Sequence, residues 1–113
     1  MIVAIDFDGT LVELDTPLPG AKDALRALRE QGHTIIIHTC NNVEWVQQVL
    51  NNNDMPYDSI WDKPGKPRAT AYVDDRAVVF DGNWDHVVAA LAAIDDALQK
   101  PLTITASRRM RRD

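Results

Sequence analysis

The chain has 113 residues, 45% of them hydrophobic and 26% charged, which excludes wholesale disorder and allows one buried core with little room for a second. Its net charge of −5 is unevenly placed: residues 1–100 hold 8 Lys/Arg against 16 Asp/Glu, a balance of −8, while 101–113 hold four Arg against one Asp, +3. The body is therefore a poor non-specific binder of nucleic acid, and the tail is the only basic cluster.

Met1 to Phe7 reads as a buried parallel strand, because Ile2-Val3-Ala4-Ile5 is continuously apolar. Residues 9–18 read as a compact loop or small flap. From Pro19-Gly20 a helical pattern runs through Ala21, Ala24, Leu25 and Leu28, and Gly32 supplies a stop. Thr34-Ile35-Ile36-Ile37 is the second strand and leads to Thr39. Asn41 or Asn42 caps a second helix whose Val43, Val46, Val49 and Leu50 share a face. Ser59-Ile60-Trp61 is a short edge strand, and Lys63-Pro64-Gly65-Lys66-Pro67 is a loop, since both prolines oppose regular structure. Ala71-Tyr72-Val73 is a strand leading into Asp74-Asp75, and Val78-Val79-Phe80 is a further strand candidate. Trp84, Val87, Val88, Leu91, Ile94 and Leu98 line a final helix of about four turns.

Strands alternating with helices across short connections imply βαβ crossovers and a mainly parallel sheet. The expected fold is a single Rossmann-like three-layer α/β domain over 1–100, with 101–113 a basic, flexible tail. In such sheets the ligand crevice lies beyond the carboxyl ends of the strands. That rule gathers Asp6, Asp8, Thr39 and Asp74-Asp75, which are far apart in sequence.

Asp6 and Asp8 lie one residue apart where a strand runs out, and Gly9 permits the close turn. Neighbouring carboxylates repel unless a cation joins them, so a hard divalent ion such as Mg²⁺ is the expected third party, with Asp74-Asp75 as further oxygen ligands. A carboxylate can attack phosphorus and carry the phosphoryl group, while its partner moves the proton. The phosphoryl oxygens then need cationic and hydroxyl donors, a role open to Lys66 or Lys63 with Thr39.

With these residues in this order, the sequence resembles the haloacid dehalogenase-like phosphohydrolase superfamily over about residues 1 to 95. Asp6-Phe7-Asp8-Gly9-Thr10-Leu11-Val12 is similar to its first motif, Thr39 to its second, the lysine loop to its third and Tyr72-Val73-Asp74-Asp75-Arg76 to its fourth. The resemblance implies that Asp6 is the nucleophile, Asp8 the general acid/base, and Thr39 and Lys66 the phosphoryl-binding groups, Lys66 being placed ahead of Lys63. It also implies Mg²⁺ held by the Asp6 side chain, the Asp8 backbone carbonyl and the acidic pair, with Asp75 the direct ligand and Asp74 its close support. The activity implied is that of a phosphomonoester hydrolase. The intervals after the first motif and between the second and third are too short for a cap domain. An open site then favours a bulky or polymeric phosphorylated substrate, or a neighbouring subunit of a homo-oligomer as lid.

Several residues have plainer readings. Cys40, the single cysteine, excludes an internal disulfide framework, makes a reducing cytoplasm the expected compartment and reads as a packing residue. His33, His38 and His86 are too scattered for a zinc pattern, and the three tryptophans read as core or rim. Neither a secretory signal nor a membrane span is expected. Arg108-Arg109-Met110-Arg111-Arg112 reads as a solvated tail, with nucleic acid or an acidic partner as the alternative. Two rival functions follow: a phosphate-binding or regulatory module with little catalysis, and a nucleic-acid end-processing phosphatase anchored by the arginines.

Overall fold

In the computed structural model, which describes residues 1–100, the apolar run after Met1 forms β1 (Ile2–Asp6) at the interior of a four-stranded sheet. The remaining elements are β2 (Val12–Glu13), β3 (Thr16–Pro17), α1 (Ala21–Glu30), β4 (Thr34–His38), α2 (Val43–Asn52), β5 (Ser59–Trp61), β6 (Ala71–Val73) and α3 (Trp84–Gln99). The chain divides into two compact units, the first Met1–Asp75 and the second starting at Arg76. All the candidate site residues belong to the first.

The sheet order is β5-β4-β1-β6, and every pairing in it is parallel. This is a Rossmann-like α/β architecture. The chain steps from β1 to β4 to β5 in one direction, then returns past them to β6. The order therefore reverses between β1 and β6, and the carboxyl ends of those two strands form the switch point where α/β proteins bind their ligands.

Alternation along the strands separates two faces. Val3, Ile5, Ile35 and Ile37 are buried in one core with Leu25 of α1 and Val46, Val49 and Leu50 of α2. Each fully buried Leu or Ile contributes about 1.5–3 kcal/mol relative to exposure. The other face carries Ala4 and Asp6 of β1, in register with Ile36 and His38 of β4 and, for Ala4, with Tyr72 of β6. The loop 62–70 crosses this second face, because Trp61 and Tyr72 both hydrogen-bond to it and both belong to its rows. A return on the opposite face from α1 and α2 is what right-handed crossovers require when the direction reverses.

Caps follow local chemistry. The Asn42 side chain accepts from Trp45 N at 3.0 Å and so caps α2. The segment 9–18 is a flap: β2 and β3 form an antiparallel hairpin turning at Leu14-Asp15, with exposed Leu14 at φ +60°. Between Thr39 and the lysine loop the chain holds α2 and β5 alone, so no cap domain is inserted there.

In the second unit, Val78-Val79-Phe80 is not a strand; this apolar run joins neither sheet among the described residues. Asn83 caps α3, its side chain accepting from Asp85 N at 2.9 Å. Asp81 accepts from Asn83 N at 3.0 Å and meets His86 Nδ1 at 2.6 Å. The His86 contact, then the Asn83 N–H, hold the Asp81 carboxyl below the usual range. Trp84 is 69% exposed and not a core or rim residue, because its ring packs locally on Phe80 at 4.9 Å between centroids. Cys40 is exposed as well, correcting its reading as a packing residue. No helix of the described residues is long and apolar enough to cross a membrane. The arginine tail, 101–113, lies outside them.

Candidate active site

Asp6 closes β1 and Asp74-Asp75 follow β6, the two strands flanking the switch point. One carboxylate atom from each of Asp6, Asp74 and Asp75 lies within 4.8 Å of the others. Oxygens facing each other across a hard divalent cation are about 4.2–5 Å apart, from bond lengths of about 2.1–2.5 Å. The all-oxygen donor set and its spread therefore fit such an ion.

Gly9 makes this approach feasible. Its φ is +81°, and a Cβ placed there would lie 2.7 Å from Asp75 Oδ2, so only glycine leaves both the turn and the carboxylate undisturbed. The turn is tied to the flap by Gly9 N–H donating to Val12 O at 2.8 Å.

The Asp6 carboxyl is raised above its ordinary range, first by burial and then by the Asp74 and Asp75 charges. The Thr10 hydroxyl, 3.4 Å from Asp6 Oδ2, and the Phe7 backbone N–H oppose the rise. A cation among the three carboxylates would offset the repulsion that Asp74 and Asp75 exert on Asp6.

Asp8 takes a different direction. Its Oδ2 accepts from Asn41 Nδ2 at 3.5 Å, and Asn41 N–H donates to Thr39 Oγ1 at 2.9 Å. One asparagine thus joins the ends of β1 and β4. Sequence reasoning offered Asn41 only as an alternative helix cap, and Thr10 only as part of a motif. The signal available was position alone: each lies within two residues of a predicted strand-end group.

The two lysines of the crossing loop are both exposed, and each is held over an aromatic ring. Lys66 Nζ lies 5.1 Å from the Tyr72 centroid and Lys63 Nζ 5.7 Å from that of Trp61. His33 meets the N-terminal amine at 3.0 Å, whereas His86 belongs to the α3 cap. Among the described residues Asp6, Asp74 and Asp75 form the one group of three metal-ligating side chains this close together.

Residues 3–55 match the haloacid dehalogenase-like hydrolase family. Over these residues the chain is similar to that family. The match covers the Asp6-Phe7-Asp8-Gly9-Thr10 segment and Thr39, and it supports a hydrolase. The parallel α/β fold also has a counterpart among solved structures, a conserved protein from Bacteroides thetaiotaomicron. The TM-score is 0.58 and the identity 23%, with 82% of this chain and 90% of that one covered. That likeness speaks to the fold alone. Among curated proteins none matches.

Proposed function

We propose that this hydrolase is a Mg²⁺-dependent phosphomonoesterase that works through an aspartyl-phosphate on Asp6. The observation that carries the reading is the meeting of the Asp6, Asp74 and Asp75 carboxylates within 4.8 Å at the switch point. Those three side chains would hold the ion, with the Asp8 backbone carbonyl as a further oxygen donor. Once bound, Mg²⁺ supplies positive charge to the phosphoryl oxygens and lowers the repulsion around Asp6.

In the first half-reaction a carboxylate oxygen of Asp6 bonds to phosphorus as the bond to the leaving oxygen breaks. Asp8, protonated, gives its proton to that oxygen, so the alcohol leaves neutral. In the second, Asp8 as carboxylate takes a proton from water while the hydroxide oxygen bonds to phosphorus. The Asp6–phosphorus bond breaks, phosphate departs and both carboxyl groups return to their starting states. Thr39 and Lys66 hold the phosphoryl oxygens through both steps. Asp8, with Asn41 directing its carboxylate, favours this water-driven reaction over a phosphate-binding module with little catalysis.

The absence of a cap between the site segments supports a bulky phosphorylated substrate, or a second copy of the chain as lid. The test is turnover of an aryl phosphate with and without Mg²⁺ by wild type and Asp6→Asn. Loss of more than about 10³-fold with the fold retained is expected from removal of a nucleophile. Activity surviving in Asp6→Asn would remove the mechanism. In the same assay Lys66→Ala should keep only a small, measurable residue of turnover and Lys63→Ala should keep it all.

A further inference from the structure

The crossing loop contains two lysines of similar exposure, and its hydrogen bonds treat them differently. Trp61 Nε1–H donates to Gly65 O at 2.8 Å, and the Tyr72 hydroxyl donates to Pro67 O at 2.6 Å. Lys66 therefore stands between two fastened carbonyls, held by aromatics from opposite edges of the sheet. Gly65 is at φ +78° and Pro67 is fully buried, so the backbone on either side of Lys66 is constrained as well. Tyr72 also holds the lysine's far end: its ring lies 5.1 Å from Nζ, within the range of a cation–π contact.

The placement has a direction. Tyr72 is in register with Ala4, on the neighbouring strand. Two residues further along the same face stand Asp6 on β1 and, past the end of β6, Asp74. The ring is thus a platform one strand from the candidate nucleophile, below it on the same face. Trp61, which holds Lys63, lies two strands from β1. An unsupported lysine has four rotatable side-chain bonds and loses much rotamer freedom when it grips a phosphoryl group. A ring that already confines the ammonium removes part of that loss before substrate arrives.

We propose that Tyr72 is a positioning residue for Lys66: its hydroxyl fixes the loop at Pro67, and its ring keeps the ammonium on the face that bears Asp6. The proposal rests on the phosphomonoesterase reading for its kinetic consequence, but the placement of the lysine can be observed without turnover.

The experiment compares wild type, Tyr72→Phe and Tyr72→Leu in the full chain, with Lys66→Ala and the Lys66→Ala/Tyr72→Leu double variant. NMR of the Lys66 side chain comes first. Its Cδ and Cε protons should resonate upfield of those of an unstacked lysine in wild type and Tyr72→Phe, and return to the unstacked position in Tyr72→Leu. In the presence of Mg²⁺, inorganic phosphate should shift these signals at lower concentration in wild type than in Tyr72→Leu. With an aryl phosphate, Tyr72→Leu should lower kcat/KM by about threefold to tenfold, and Tyr72→Phe should restore most of it. In the Lys66→Ala background the Tyr72 substitution should change nothing further.

Unstacked Lys66 signals in wild type would overturn the proposal even if Tyr72→Leu fails to fold. An undiminished Tyr72→Leu effect in the Lys66→Ala background would overturn it too, because the tyrosine would then act structurally. If wild type shows no turnover while its Lys66 signals are ring-shifted and respond to phosphate, the hydrolase reading fails and the positioning role stands.

Discussion

Gly9 and Asp75 are in contact across the switch point: a Cβ on residue 9 would fall 2.7 Å from Asp75 Oδ2. Gly9→Ala therefore has two separable effects. At φ +81° an L side chain is strained, which costs about 1–2 kcal/mol of stability. The carboxylate must also move, and as the end of a short side chain it can do so without unfolding the protein. The expected result is a modest fall in melting temperature together with a larger loss of Mg²⁺ affinity, followed by thermal melts and metal titration. Wild-type affinity in a destabilised Gly9→Ala would show that Asp75 does not serve the ion.

Asp6 gives the site a pH signature in the absence of metal. Burial, then Asp74 and Asp75, raise its pKa in the folded chain, so the native state holds this proton more tightly than the unfolded state does. The contribution to stability is full below the ordinary carboxylate pKa and is lost as pH rises through the raised value. In EDTA, wild type should thus lose stability relative to Asp6→Asn as pH increases from about 4 towards neutrality. At pH 7, two carboxylates at this spacing repel by roughly 1 kcal/mol in a water-like dielectric, so the variant should melt a few degrees higher. Mg²⁺ should reverse the order, since wild type then gains a ligand that Asp6→Asn binds poorly. Parallel melting curves across that range would sink this account.

The parts read correctly from the sequence share a physical cause. A strand buried in a parallel sheet must be continuously apolar, and Ile2-Val3-Ala4-Ile5 and Thr34-Ile35-Ile36-Ile37 announce β1 and β4 by that rule. Once their direction is known, the carboxyl-end rule points to Asp6, Thr39 and Asp74-Asp75, of which the structure brings the Asp6, Asp74 and Asp75 carboxylates together. The flap hairpin was hidden because its turn is Leu14-Asp15, not a glycine-bearing pair, and Leu14 adopts a left-handed φ that its side chain disfavours. Val78-Val79-Phe80 misled in the opposite sense: three apolar residues fit a strand, but a strand also needs a partner ladder. The contacts of Asn41, Thr10 and Tyr72 were not legible because they arise from neighbours distant in sequence or from one hydrogen bond, which no periodicity encodes.

Asn41 is the link between the groups assigned to proton transfer and phosphoryl binding. Its side chain donates to Asp8 and its backbone N–H to Thr39 Oγ1. Asn41→Ala removes only the first contact, since the backbone donor remains. A hydrogen bond to a charged group is worth about 1.5 kcal/mol at the weaker end, so kcat should fall by roughly tenfold with little change in KM. Steady-state kinetics on an aryl phosphate check this. A rise in KM alone would instead assign Asn41 to substrate binding.

Asp58 tests whether stability and chemistry are separated along the strands. At the amino end of β4, its Oδ2 accepts from Ile35 N–H at 2.7 Å, its own N–H donates to Ile35 O at 3.0 Å, and Arg29 approaches Oδ1 at 3.6 Å. Removing the carboxylate leaves the Ile35 donor without this acceptor, a loss of about 1–2 kcal/mol. Arg29→Ala leaves that hydrogen bond in place and loses only a surface ion pair, about 0–1 kcal/mol. Asp58→Ala should therefore melt several degrees below wild type and Arg29→Ala close to it, while Asp58→Asn, which keeps an acceptor oxygen, should fall between. All three should retain wild-type kcat at temperatures where they are folded, because the groups proposed as catalytic lie at the opposite end of β4 and β1. Equal melting temperatures for Asp58→Ala and wild type would remove Asp58 as an anchor of the sheet; a kcat loss in the folded variant would show that the two ends are coupled.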